Sequence, residues 1–364
     1  MPSQIPPSAA GRLLGASLLA GAVLSAAPAS AEINQLRDWI VACDNLRGCN
    51  AYGFDAELSG SNYIRLERDG GALSAARITI VVEAQKDVKL RLAFDEPGLG
   101  GLPTEPVAGE PKDGDETQRL VITEPQAVAA ALASMRKAKM LVIARIDPAG
   151  APASDPVNSE ISLSGLAAAL LWIDDQQKRV GTVTALIGRG DKPAAAVPSL
   201  PAAPVVVAAK RASAPVPKKA PAAVIAKARA VCEDKKIREA EDATRLGPSD
   251  VMYWFKCDNL SGAYNYFYAL VIGSPGKPVR VAEFRPPPGF ARTDVVETNI
   301  NPGFDEETQT LSMLNKGRGH ADCGSSSDWV WDGQVFRMIR SKAMPDCHGV
   351  EEADWPTLYR AERK

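Results

Sequence analysis

Apolar residues along the chain follow two different periods. Residues 63–68 alternate apolar and polar side chains, as half-buried strands do, and residues 76–83 and 88–94 are further strand candidates. Residues 126–139 repeat apolar side chains at helical spacing, and Ser164 is placed to cap a second helix. Helices among several strands predict an α+β N-terminal module over 32–190.

Residues 231–364 are predicted to be a mainly antiparallel β module, either a meander or a small barrel. The Asp332-Gly333 dipeptide is typical of a two-residue hairpin. The chain as a whole is therefore expected to be α+β and β-rich. The predicted strands are 251–256, 263–272, 279–284, 293–299, 308–314, 327–331, 334–339 and 357–361.

The segment 191–230 between the two modules is rich in proline, alanine and lysine. Proline lacks a backbone donor and interrupts both helices and ladders, so the segment is expected to be a semi-extended linker. Its basic charge is consistent with simple solvation or with weak attraction to anionic envelope polymers. Lys218 and Lys219 are expected to be early sites of proteolysis.

The first 31 residues have the pattern of a secretory signal. Their only charge is Arg12, the apolar run 13–24 is shorter than the roughly 20 residues that span a bilayer, and Ala29-Ser30-Ala31 is a small-x-small cleavage pattern. We expect residues 1–31 to be removed and the mature chain to be a soluble, exported protein with no membrane span.

Six cysteines follow the expected cleavage site, and an even number in an exported chain favours disulfides. If pairs stay within modules, Cys43 pairs with Cys49, and three arrangements remain. Proximity in sequence favours Cys232 with Cys257 and Cys323 with Cys347. The sequence contains no Cys-x-x-Cys pair of the kind on which a structural zinc site usually draws.

The formal net charge of −2 does not favour a nucleic-acid partner. His320 and His348 are the only histidines, and no nucleophile elbow or phosphate loop is present. We therefore assign no catalytic residue, metal or cofactor, and the sequence leaves open whether the chain is an enzyme. Both histidines lie beside cysteines, so a zinc site in the reduced chain is an alternative to a disulfide with two bystander histidines.

Aromatic and basic residues of the C-terminal module form a candidate binding surface. Three tyrosines alternate along the strand predicted over 263–272, so their rings are expected to share one face. A basic, glycine-rich loop over 316–319 adds cations that can hold an anion. The alternative is that one of these faces is core. The candidate residues are Tyr264, Tyr266, Tyr268, Lys316, Arg318 and Trp329.

Several motifs together resemble the exported bacterial family labelled domain of unknown function 1176. They are the runs 38–45, 173–181, 262–265, 316–324, 329–336 and 355–358. The N-terminal module also resembles the invasion-associated locus B family through a Trp-x-x-x-Cys opening and the pattern from Ser162 to Leu170. The resemblance implies Gram-negative export and a periplasmic address, and it implies no activity.

These observations favour a non-catalytic periplasmic binding or accessory protein of the cell envelope. The expected partner is an envelope protein or polymer, and the sequence does not indicate an oligomeric state. Two alternatives are an envelope hydrolase that acts through acidic groups and a protein inhibitor of a cell-wall hydrolase.

Overall fold

The structure is a computed structural model. The residues that it describes are 32–55, 61–85, 87–105, 107–112, 117–146, 159–210, 215–217, 219–288, 290 and 299–364. The expected signal at 1–31 and nearly all of the strand expected over 293–299 lie outside the described residues.

The first sheet is antiparallel and has seven strands in the order β1-β2-β3-β4-β5-β8-β7. A second sheet pairs β10, β9 and β6. The strands are β1 (Glu32–Leu36), β2 (Trp39–Cys43), β3 (Cys49–Phe54), β4 (Tyr63–Arg68), β5 (Ala76–Glu83), β6 (Lys89–Phe94), β7 (Glu110–Lys112), β8 (Thr117–Ile122), β9 (Met140–Ile146) and β10 (Ser159–Ser162). The strand predictions over 63–68 and 76–83 are confirmed.

Two helices accompany these sheets, α1 (Pro125–Met135) and α2 (Leu166–Gln176). Helix α1 ends four residues before the predicted end. The prediction that Ser164 caps α2 is wrong, because the cap residue is Gly165, with a φ of 104°. A Cβ on Gly165 would lie 1.9 Å from the carbonyl oxygen of Leu36, so only glycine fits this contact between α2 and the sheet.

The proline-rich segment differs from the extended linker that was expected. Strand β11 (Val205–Val206) pairs in parallel with β22 (Glu362–Arg363) at the end of the chain. Helix α3 (Ala222–Val231) begins directly after Pro221, and the residues that follow favour a helix because they contain no further proline. The division into modules stays a prediction, but much of the segment is ordered against the C-terminal half.

The C-terminal half contains two sheets. One has the order β12-β13-β14-β15, and the other has β16-β20-β19-β18-β17, with β21 beside β20. The remaining strands are β12 (Asp242–Arg245), β13 (Val251–Lys256), β14 (Tyr268–Gly273), β15 (Arg280–Val281), β16 (Phe284–Arg285), β17 (Gly303–Asp305), β18 (Thr310–Lys316), β19 (Gly324–Trp331), β20 (Phe336–Met344) and β21 (Thr357–Arg360). Most pairs are antiparallel and none of the described sheets closes into a barrel, so the β-rich α+β class is confirmed.

Three local predictions in this half are wrong. The strand predicted over 279–284 is divided between β15 and β16, which belong to different sheets. Strand β14 begins at Tyr268 instead of residue 263. The Asp332-Gly333 hairpin has a four-residue loop, because Trp331 pairs with Phe336. The Asp332 carboxylate accepts the backbone N–H groups of Gln334 and Val335, which stabilises this longer turn.

Buried side chains from both halves share one cluster. It combines Ile40, Tyr52, Phe54, Tyr63 and Val81 with Cys323, Met344, Val350 and Trp355. The two halves are therefore joined by packed apolar surface as well as by the chain between them. Within the described part of the chain, no helix is both long and apolar enough to span a membrane.

Candidate functional site

The six cysteines form the three disulfides that sequence proximity favours. These are Cys43–Cys49, Cys232–Cys257 and Cys323–Cys347. The first closes the turn between β2 and β3, the second fixes α3 to the end of β13, and the third connects β19 to the loop after β20. Each disulfide therefore joins elements within one half of the chain.

The third disulfide lies beside His348. The His348 ring stacks on Phe54, with the ring centres 4.1 Å apart. Ligand atoms of Asp322, Cys323 and Cys347 lie within 4.8 Å of one another, but both sulfurs belong to the disulfide. The Asp322 carboxylate accepts the guanidinium of Arg318 at 2.7 Å, so in the oxidised chain this trio does not form a metal site.

Tyr264 and Tyr266 are exposed, as the candidate surface requires, with 37% and 40% of their area accessible. They lie in the loop that precedes β14. The Tyr264 hydroxyl donates to the carbonyl of Gly317 at 3.2 Å, which places the two tyrosines beside the basic loop. Lys316, in that loop, is half-buried.

Three asparagine side chains hold this loop in position. The Asn265 amide donates to Asn315 Oδ1 at 2.9 Å and to the carbonyl of Lys316 at 2.8 Å. Asn301 donates to the carbonyl of Tyr264 at 3.1 Å and accepts the backbone N–H of Tyr266 at 2.9 Å. Side-chain amides take backbone partners that a ladder would use, which explains why the predicted strand starts late.

The structure adds two residues that sequence reasoning missed. The Lys256 ammonium lies 4.5 Å from the centre of the Tyr266 ring, a cation–π contact. Leu260 is exposed by 49% in the same loop. The sequence carries no signal for the Lys256 contact, because the residue appears only as the polar end of a strand.

Three of the predicted surface residues have other roles. The prediction that Trp329 lies on the surface is wrong. The residue is fully buried and packs edge-on against Phe284. Tyr268 is half-buried, and its hydroxyl donates to Glu241 at 3.1 Å. Arg318 is exposed, but its guanidinium binds both oxygens of Asp322 within its own turn.

A charged cleft of about 490 Å³ lies where the two halves meet. Asp354, from the C-terminal half, accepts Tyr63 Oη at 2.7 Å and Arg65 Nη1 at 2.7 Å, and it also pairs with Arg119. Its carbonyl accepts the Tyr52 hydroxyl at 2.5 Å. Burial raises the pKa of Tyr63, and the Asp354 carboxylate raises it further, so the hydroxyl stays protonated and donates.

Asp44 occupies the other side of this cleft. It pairs with Arg360 at 2.5 Å and accepts the backbone N–H groups of Leu46 and Gly48 at 2.8 Å each. Burial raises the pKa of Asp44 in spite of the opposing effect of Arg360. These bonds fix the first disulfide loop to β21.

The motif of residues 173–181 is a buried scaffold behind the cleft. Both Asp174 oxygens accept backbone N–H groups of residues 186–188. Gln177 donates to the carbonyls of Arg47 and Arg68, and Arg179 donates to those of residues 71 and 72. All three side chains are buried, so the motif orders loops and does not present a ligand surface.

Comparisons with known proteins agree with the motifs. A family model described as Protein of unknown function (DUF1176) matches residues 33–362. The Uncharacterized protein YpfG of Escherichia coli (strain K12) is 31% identical over 353 residues, which cover 94% of this chain and 96% of that protein.

One solved structure is similar over part of the chain, the crystal structure of invasion associated protein b from Bartonella henselae. It is 18% identical and covers 40% of this chain and 99% of that chain. Its TM-score of 0.29 is too low to support an argument about fold or function.

Proposed function

We propose a binding role for this chain, which belongs to the family described as Protein of unknown function (DUF1176). It is exported to the periplasm, where it acts as a non-catalytic binding or accessory protein of the cell envelope. The surface that contacts the partner, an envelope protein or polymer, is the tyrosine loop, which consists of residues 258–267 with Lys256 and Lys316.

The observation that carries this proposal is a pair of exposed tyrosines on an ordered loop. A tyrosine combines an apolar ring with a polar tip, and it loses little conformational freedom when it binds. The Asn265 and Asn301 hydrogen bonds already hold the loop, so binding does not have to order it. Lys256 lies over the Tyr266 ring and also pairs with Asp258 at 3.3 Å, so it holds the ring in place beside the loop.

Export is supported by two independent features. Residues 1–31 have the charge and apolar pattern of a signal peptide. The six cysteines form three disulfides, which persist in oxidising compartments such as the periplasm.

The ion pairs of the charged cleft count against the hydrolase alternative. A hydrolase with two carboxyl groups needs one to deliver a proton and the other to face the substrate. Here Asp44 pairs with Arg360, and Asp354 pairs with Arg65 and Arg119. These carboxylates join the halves of the chain through ion pairs.

Photo-crosslinking in intact cells tests the surface. With benzoylphenylalanine at position 264, we expect an adduct to an envelope protein or polymer, and the matched exposed position Leu73 should give none. The double variant Tyr264→Ala/Tyr266→Ala should lose partner capture with an unchanged thermal midpoint, because neither ring is buried. Equal crosslinking at both positions, or full capture by the double variant, would contradict the proposed surface.

Cell fractionation with N-terminal sequencing tests the location. We expect the chain in the periplasmic fraction with Glu32 as its first residue. An uncleaved chain in the cytoplasm would exclude the periplasmic role, whatever the crosslinking shows.

A further inference from the structure

In addition to the charged cleft, a groove of about 330 Å³ lies on the N-terminal half, away from the tyrosine loop. One wall is a stripe of helix α1 with apolar residues at helical spacing, including Val128, Ala129 and Leu132. The opposite wall is the loop 184–188, which contributes Leu186 and Ile187. Val128 and Leu132 are each 4% exposed and form the base, so the apolar surface open to a ligand comes from Ala129, Leu186 and Ile187.

The charges of this groove are all positive. Arg68, Arg136 and Arg189 line it, and no Asp or Glu is among the lining residues. Arg136 and Arg189 are exposed at the rim, whereas Arg68 is only 7% exposed. A narrow groove with low-dielectric walls and one sign of charge attracts an anion.

Arg68 is not fully neutralised by its surroundings. Its Nε and Nη2 donate to the carbonyls of Ser74 and Thr184, but its buried Nη1 has no hydrogen-bond partner. The nearest carboxylate oxygen, of Asp174, lies 3.8 Å from Nη1, and that oxygen already accepts a backbone N–H. Burial, together with Arg179, lowers the pKa of Arg68 to about 10, as expected for a cation short of negative charge.

We propose that this groove binds a small amphipathic carboxylate, whose apolar chain lies along helix α1 and whose carboxylate meets Arg136 and Arg189 at the rim, near the buried Arg68 cation. Guanidinium groups bind carboxylates in a bidentate manner, and apolar walls contribute chain burial. The volume falls at the lower end of small-molecule sites, which are roughly 300–1,000 Å³. This site is independent of the tyrosine loop and of the proposed envelope role.

Calorimetric titration of the full chain with three probes separates the contribution of the ligand's apolar chain from that of its carboxylate. Octanoate carries both chain and charge, octan-1-ol carries the chain alone, and acetate carries the charge alone. We expect octanoate to bind at least about tenfold more tightly than either of the others, because only octanoate uses both features. Equal binding of octanoate and octan-1-ol, or no binding of octanoate, would overturn the proposal.

Variants locate the site. Arg136→Gln/Arg189→Gln should weaken octanoate binding by about tenfold, since a charged hydrogen bond is lost at each exposed rim residue. Ala129→Phe should block the chain without changing charge. Arg91→Gln, an exposed arginine outside the groove, is the matched control and should bind as the wild type does. Unchanged octanoate affinity in both groove variants would place the ligand elsewhere and refute the site.

Discussion

The Asp354 carboxylate is expected to be the strongest polar connection between the two halves of the chain. It is 7% exposed at the side chain, and it faces two arginines and a tyrosine from strands β4 and β8. Asp354→Asn keeps the size of the side chain but removes its charge. Arg65 and Arg119 would then be left as partly buried cations without their shared carboxylate.

The size of the effect follows from these contacts. Removing one partner of a buried ion pair costs about 3–5 kcal/mol, because the remaining charge is left uncompensated. Arg65 also contacts Glu67 at 2.7 Å and keeps that partner, so the lower end applies. We expect Asp354→Asn to lower the free energy of unfolding by about 3 kcal/mol.

Urea titration followed by tryptophan fluorescence and circular dichroism measures this change. Tyr63→Phe removes one hydroxyl donor but keeps the ion pairs, and it should cost about 1 kcal/mol. Asp175→Asn is the matched control, because its carboxylate is 63% exposed and pairs only distantly with Lys178 at 3.8 Å. If Asp354→Asn lowered the free energy of unfolding by no more than Asp175→Asn does, Asp354 would not be a buried ionic connection between the two halves.

Three further predictions concern other parts of the chain. Burial lowers the pKa of His348, against the opposing effect of Asp346 and Asp322 and with a smaller lowering from Arg318. The free energy of unfolding should therefore fall as the pH drops below about 6.5, where the unfolded chain binds the proton more readily. Urea titrations across this range should show a smaller fall for His348→Gln than for the wild type, and an equal fall would contradict the prediction. Replacing Cys323 and Cys347 by alanine should cost about 3.5 kcal/mol on the chain-entropy model, as measured by urea unfolding, and an unchanged midpoint would contradict it. Limited trypsin digestion should cut first within 191–230 at exposed lysines such as Lys210 and Lys219, and mass spectrometry that found first cuts inside either half would count against the module division.

The local patterns of the chain determined much of the secondary structure. The alternation over 63–68 predicts strand β4, because the period of a strand is two, whereas the central residues of β5 are buried on both faces. The cysteine pairing also followed from sequence, since each partner lies within 25 positions of the other. Membership of the family could be inferred from short motifs alone.

Contacts between distant residues decided what the patterns could not. The alternating tyrosines resemble a strand, but the Asn265 and Asn301 side chains take the backbone partners and leave a loop. Trp329 alternates with Trp331 in a way that fits either surface or core, and it is buried because it packs in a cluster that includes Phe284 and Met338.

The charged cleft and the groove beside helix α1 also depend on the tertiary structure. Arg68 and Arg189 are 121 positions apart, and both line the same groove because Asp174 and Arg179 hold the loop 184–188 against β4 and the turn that follows it. A sequence pattern records the period of one element, which fixes its buried face. Which charged side chains become neighbours depends on which elements pack together. The shared apolar core determines that packing.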